Sequence, residues 1–268
     1  MDMIDEGTVP EGTMKVTEHI DALDAAGRAL AEAAAEAGPD AAVPTCPGWR
    51  IRDLLRHTTT VHRWATAFVA GGLTSFEPAG SEPELDGDAL LAHYREGLDN
   101  LVAALRAAPE GLECWTFLPA PSPLAFWARR QAHETTVHRA DAESALPTGP
   151  GMVDPVLAAD GIDELLRGFH ARDRSRVRTP EPRTLRVRAT DTSDVWTVRL
   201  SGDAPRTERT AVEPGATFGE PAADTELSGT ADLLYLYLWN RLPADAVTLT
   251  GDADLADLWR ETSAITWS

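Results

Sequence analysis

At 268 residues, 43% of them hydrophobic, the chain has the make-up of an ordinary globular protein with room for one large domain or two small ones. A formal net charge of −19 excludes the polyanions, nucleic acid and acidic membrane surfaces, as natural partners. The only two cysteines, Cys46 and Cys114, exclude a disulfide framework, and no apolar run is long enough to predict a membrane span.

The chain begins Met1-Asp-Met-Ile-Asp-Glu-Gly7, acidic and without an apolar stretch. It does not read as a secretory leader, so the cytoplasm is the expected compartment. Residues 16–37 are rich in Ala, Glu and Leu with apolar spacing near that of a helix, and Pro39 ends the run. Turn chemistry follows in Ala42-Val-Pro-Thr-Cys-Pro-Gly48. A second helix is predicted over 50–70, stopping at Gly71-Gly72. Residues 73–87 are loop-like, and Asp86 or Asp88 can cap a third helix reaching 108. After the stiff Pro119, Pro121 and Pro123, a fourth helix covers 123–145. Four helices in this order fit an up-down bundle.

Leu146-Pro-Thr-Gly-Pro-Gly151 is the best boundary, dividing the chain into residues 1–148, a four-helix bundle, and 149–268, a smaller α+β domain. The second half opens with a helix over 154–171. Period-two alternation then predicts strands at Thr184–Ala189 and Val195–Leu200, with a third at Ala223–Gly229. A buried helix over Ala231–Trp239, a short strand at Val247–Thr250 and a last helix capped by Asp252 complete the chain.

Glu134 and His138 carry the most information. Four residues apart on a helix, they point within ~40° of each other around the axis. A carboxylate and an imidazole aimed at one spot form half a metal site, and His57 is available upstream as a third ligand. Two His and one Glu suit a divalent cation such as zinc and leave a position open for chemistry. The bland alternatives are an ordinary solvated face, with Arg130 pairing Glu134 across one turn, and a satisfied core histidine at position 57. Asp141, three residues past His138, is placed to accept its other ring N–H. His62 lies roughly 140° around the helix from His57, so the two cannot share a metal; next to Arg63, it reads as a surface or rim residue. His133 points away from Glu134 and reads as no ligand. Trp49 either fixes its loop against the bundle or walls a pocket. The arginines between Arg167 and Arg188 either meet an anionic substrate or balance nearby acids on a solvated face.

Val43-Pro-Thr-Cys-Pro-Gly-Trp49, Asp53-Leu-Leu-Arg-His57 and Arg130-Gln-Ala-His-Glu-Thr-Thr-Val-His-Arg-Ala-Asp-Ala-Glu143, in this order, resemble the mycothiol-dependent maleylpyruvate isomerase family, part of the wider DinB-like metal-binding bundles of actinobacteria. The resemblance spans nearly the whole chain. It implies a DinB-like four-helix bundle followed by an α+β domain similar to sterol carrier proteins. It also implies a divalent metal, usually zinc, on His57, Glu134 and His138, with the thiol of mycothiol taking the open position. The thiolate would add to a small electrophile, either leaving again after isomerisation or staying attached as an S-conjugate. One departure stands out: residues 71–94 contain no Arg or Lys, where the family's isomerase carries an arginine for its dicarboxylate substrate. No catalytic residue beyond the ligand set is assigned, and the electrophile is not named. Nothing in the sequence demands an oligomer, so a monomer is expected. The competing readings are a metal-assisted hydrolase, with water in the open position, and a non-catalytic protein that binds a small apolar ligand.

Overall fold

The computed structural model describes residues 14–211 and 223–265. Four long helices come first: α1 (Val16–Ala37), α2 (Ile51–Gly71), α3 (Gly87–Ala107) and α4 (Pro123–Glu143). Local chemistry sets their ends. Asp53 accepts the Arg50 N–H at 2.9 Å, Asp86 that of Gly87 at 2.8 Å, and Ser122 that of Ala125 at 3.1 Å, so donors that a helix start leaves free are satisfied. Pro123 supplies the preset φ of a first turn, and Gly72 closes α2 with φ +59°. None of the helices among the described residues is long and apolar enough to cross a membrane.

The second half holds α5 (Pro155–Asp163), α6 (Ala231–Leu238), α7 (Ala253–Thr262) and five strands: β1 (Arg183–Ala189), β2 (Asp194–Leu200), β3 (Arg206–Ala211), β4 (Thr225–Gly229) and β5 (Thr248–Gly251). They form one sheet in the order β3-β2-β1-β4-β5. All neighbours run antiparallel except β1 and β4, which run parallel. Val187 sits at its centre, opposite Trp196 on one side and Leu227 on the other, and all three are fully buried. The fold is thus four helices followed by helices on a mixed five-stranded sheet.

Two sequence expectations are corrected. The helix over 154–171 is not regular: after Asp163 it widens into a π-helical turn over Glu164–Phe169. Such widenings are sequence-silent because the apolar spacing stays nearly helical. Strand β3, Arg206-Thr-Glu-Arg-Thr-Ala211, was not expected at all. It lies at the sheet edge with no residue buried, so it needs no apolar alternation.

α4 is buried on nearly every face, from Leu124 to Ala142. A helix in that position is usually apolar all round. This one carries Arg130, Gln131, His133, Glu134, Thr135, Thr136, His138 and Asp141 into the interior. α1 packs along it. An apolar cluster joins Trp127 and Val137 of α4 to Ile162 of α5, Leu165 of the π turn and Tyr235 of α6.

Close approach between α5 and α6 depends on Gly161. A Cβ there would lie 2.3 Å from a Tyr235 ring carbon and 2.8 Å from His133 Nδ1. Both neighbours are fully buried and have nowhere to go. Gly161→Ala should therefore lower the free energy of unfolding by about 1–3 kcal/mol, the usual cost of overpacking, as read from urea denaturation. An unchanged midpoint would show that α5 and α6 are not locked at this distance.

Candidate metal centre

The polar residues of α4 fall into three stripes, set by its 3.6-residue repeat. Arg130, Glu134, His138 and Asp141 form the first. His57 meets this stripe from α2, whose start is fixed by the turn at Pro47-Gly-Trp49, where Gly48 takes φ +89°. Ligand atoms of His57, Glu134 and His138 all lie within 4.8 Å of one another. His138 Nε2 is 3.2 Å and His57 Nε2 3.5 Å from the same oxygen, Glu134 Oε1.

Hydrogen bonds orient His138 and Glu134. His138 donates Nδ1–H to Asp141 Oδ2 at 2.8 Å, which turns its Nε2 toward Glu134. Asp141 is fully buried and accepts further bonds from Arg241 Nε at 2.8 Å, Arg241 Nη2 at 3.1 Å and Thr45 Oγ1 at 2.6 Å. Arg130 donates to Glu134 Oε2 at 3.0 Å and also to Glu164, the first residue of the π turn. Oε2 is thereby occupied and Oε1 is left for the centre. Trp49 covers the site: its ring lies 5.2 Å from that of His57 and stacks 6.4 Å from that of His138.

The electrostatics of this group call for a cation. With Nδ1–H spent on Asp141, a neutral His138 presents a lone pair at Nε2 to a carboxylate oxygen, two acceptors face to face. Burial alone would push the His138 imidazole down; Asp141 and Glu134 outweigh it and raise it to about 9. Burial would likewise push Glu134 up, but His138, His57 and Arg130 hold it well below the usual carboxylate range. Asp141 is held low, against burial, by Arg241 and His138. A proton on His138 or a metal ion between the three ligands satisfies the same demand.

Two cavities flank the group, sharing His57, Arg130 and Glu134 in their walls. One, of about 650 Å³, is lined by Cys46, Trp49, His138, Asn240 and Arg241. The other, of about 1260 Å³, opens between Trp64, Trp115 and Phe117 and the arginines Arg172, Arg174 and Arg176. Cys46 is a poor nucleophile: burial first, then the nearby Asp141 charge, push its thiol up to about 12.

The remaining histidines differ from their sequence reading. His62 is not at a rim. It is fully buried and bonds Thr135 Oγ1 at 2.9 Å, on the second stripe of α4. His133 does point away from Glu134, but into a second buried group on the third stripe. There Asp160 accepts from His133 at 2.8 Å, His19 at 3.0 Å and Arg129 at 2.8 Å. These three donors account for the Asp160 carboxylate, which His133 and His19 hold far below its usual range against the effect of burial. The sequence did carry a signal for His19, which falls in the helical apolar stripe with Leu23, Ala26 and Leu30. Arg241 and Glu164 gave none. Of the arginine run, Arg167 pairs with Asp163, Arg183 with Asp252 and Arg188 with Glu226, whereas Arg172, Arg174 and Arg176 line the larger cavity.

Comparison with known proteins gives one family across both halves. Residues 20–143 match the model of the mycothiol maleylpyruvate isomerase N-terminal domain, and residues 156–258 match the C-terminal domain of the same family. Two solved structures of mycothiol-dependent maleylpyruvate isomerase, one a histidine-to-alanine mutant, share the fold. The mutant matches with a TM-score of 0.59 at 13% identity and the other with 0.58 at 14%. Each alignment covers 88% of this chain and 93% of the other. No curated protein sequence matches.

The buried His62 has a consequence in acid. Burial lowers its imidazole from 6.5 to about 3. The unfolded chain protonates this residue near 6.5 and the folded chain does not. Its contribution to stability is therefore complete above pH 6.5 and lost progressively from there down to about pH 3. His62→Gln should flatten the fall in stability between pH 7 and pH 4, measured by denaturant unfolding at each pH. A slope identical to the parent protein's would mean that His62 is not held neutral.

Proposed function

The chain belongs to the mycothiol maleylpyruvate isomerase family, and from that premise we propose that it is a metal-dependent enzyme that uses a small external thiol, mycothiol first, against a small electrophile. His57, Glu134 and His138 hold the metal, for which zinc is the proposed ion. The observation that carries the reading is the convergence of two imidazole nitrogens on one buried carboxylate oxygen, in a group short of one cation.

The donor set fits a divalent ion. Two neutral imidazoles and one carboxylate leave it one net positive charge and an open position. Such an ion lowers the pKa of a thiol and keeps the thiolate beside its target. The chain's own residues do the rest. Asp141, held by Arg241 and Thr45, fixes the His138 tautomer so that Nε2 faces the site. Arg130, held by Glu164, occupies the outer oxygen of Glu134. Trp49 restricts water above His57 and His138. The chain offers no activated thiol of its own, since Cys46 is pushed up and Cys114 is also raised by burial. A nucleophile supplied from outside follows from that. Whether the thiolate departs after isomerisation or remains as a conjugate distinguishes an isomerase from a transferase on the same centre.

The purified protein should hold about one divalent metal per chain. His138→Ala should lose most of it, and His62→Gln should keep it, by elemental analysis. Asp141→Asn should weaken metal affinity about 10- to 100-fold, the usual effect of removing a ligand's hydrogen-bond partner. Full metal content in His138→Ala would remove the assignment.

The thiol is tested by cobalt substitution. Saturating mycothiol should shift the visible absorption of the cobalt protein by creating a sulfur–metal bond. Spectra that stay unmoved, together with metal-dependent cleavage of an ester or amide, would replace this reading with a hydrolase.

A further inference from the structure

The larger cavity differs in character from the space around the metal ligands. One wall is aromatic. The rings of Trp64 and Trp115 lie 6.1 Å apart, Trp115 and Phe117 5.6 Å, and Phe76 sits 5.2 Å from Trp115. Trp64 and Trp115 are only partly buried, and Phe76 is 59% exposed. Trp64, Trp115 and Phe117 thus pack on the core on one side and line the cavity on the other.

The same lining also carries cations. Arg172 and Arg176 spend their resolved hydrogen bonds on backbone carbonyls, those of Phe169 at 3.2 Å and Ala264 at 3.3 Å. Arg172 also lies 5.0 Å from the Phe169 ring. Among the described residues, none of Arg172, Arg174 and Arg176 pairs with a carboxylate at salt-bridge distance. In a chain with net charge −19 that is unusual, and the neighbouring Arg167, Arg183 and Arg188 are all paired. Burial and then the charge of Arg174 lower the pKa of Arg172, so the two cations repel each other. Asp173 and Glu82 also reach the cavity wall. The loop carrying Phe76, Pro78 and Gly80 brings no cation.

We propose that this cavity binds the electrophile, and that the electrophile is a bulky aromatic organic acid, its ring system against Trp64, Trp115 and Phe117 and its carboxylate between Arg172 and Arg174. The assignment rests on the reading of His57, Glu134 and His138 as the reacting centre. The cavity reaches that centre through His57 and Glu134, which places the far end of a bound acid beside the position open to the thiolate. At about 1260 Å³ it exceeds the space a small aliphatic acid fills. The aromatic rings supply affinity for a flat apolar body, and two arginines without a carboxylate partner among the described residues supply orientation and select for negative charge. The smaller cavity on the Trp49 side is left for the thiol.

The test needs neither thiol nor turnover. Biphenyl-4-carboxylate and its neutral isostere biphenyl-4-carboxamide are titrated into the metal-loaded protein, with quenching of tryptophan fluorescence as the signal. The carboxylate should bind at least about tenfold more tightly than the amide. Arg174→Gln, and Arg172→Gln with Arg174→Gln, should each remove most of that preference while amide binding stays within about twofold. Arg174 is exposed, so its variant tests the proposal even where the double variant folds poorly. Equal binding of the two probes, binding of neither, or a preference that survives both variants would overturn the proposal. The cobalt–thiol spectrum is read on the same samples. Probe binding without a spectral response to thiol removes the thiol reading alone, and a response without selective probe binding removes only this substrate class.

Discussion

The interior position of α4 is the constraint on which the rest depends. A helix surrounded on all sides cannot leave a charge unpaired, because an isolated buried charge costs several kcal/mol. α4 carries eight polar side chains inward, and each stripe recruits partners from other elements. α1 and α5 supply His19 and Asp160 to one stripe and α2 supplies His62 to another. The third takes His57 from α2, Glu164 from the π turn and Arg241 from the end of α6. The two halves of the chain are therefore joined by ion pairs and apolar packing together, along one helix.

The three stripes are not resolved alike. Asp160 receives three donors and is electrically complete without any added ion. The stripe at Glu134 is not complete. Its arginine is shared with Glu164, its histidine spends one N–H on Asp141, and its carboxylate faces two imidazole nitrogens. Both groups gather two histidines and a carboxylate within ligand distance. Burial and hydrogen bonding, rather than residue type, separate them. The Asp160 group sits in packed interior beneath Tyr235 and Gly161, whereas the Glu134 group opens on two cavities.

Much of this was legible in the sequence, for reasons that differ by residue. Glu134, His138 and Asp141 follow from helical spacing, since i, i+4 and i+7 positions share a face. The helices and most strands follow from periodicity and from caps such as Asp86 and Asp252. His62 was misplaced because its neighbour Arg63 is polar, yet one residue on a helix turns the side chain by about 100° and carries it inside. Arg241 and Glu164 were invisible because their roles exist only across long sequence separations, 100 residues from Arg241 to Asp141 and 34 from Glu164 to Arg130. The π turn hid Glu164 further, as it shifts the residues after Asp163 off the regular helical faces.

The centre and its surroundings are also built from different material. His57, Glu134 and His138 sit on α2 and α4, rigid elements that fix ligand geometry. Apart from Trp64 on α2, the larger cavity takes its proposed selective residues from elsewhere: Phe76 and Glu82 from the loop after α2, Trp115 and Phe117 from the loop before α4, and Arg172 to Arg176 from the segment after the π turn. The hydrogen bonds of Glu134 and His138 to Arg130 and Asp141 do not involve those loops. Under the proposed function, one fixed centre could serve different electrophiles as the loop walls change. In this chain residues 71–94 contain no Arg or Lys, and Arg172, Arg174 and Arg176 have no carboxylate partner among the described residues. In the proposed complex the charge that orients a substrate acid comes from Arg172 and Arg174, in the same cavity as the aromatic rings.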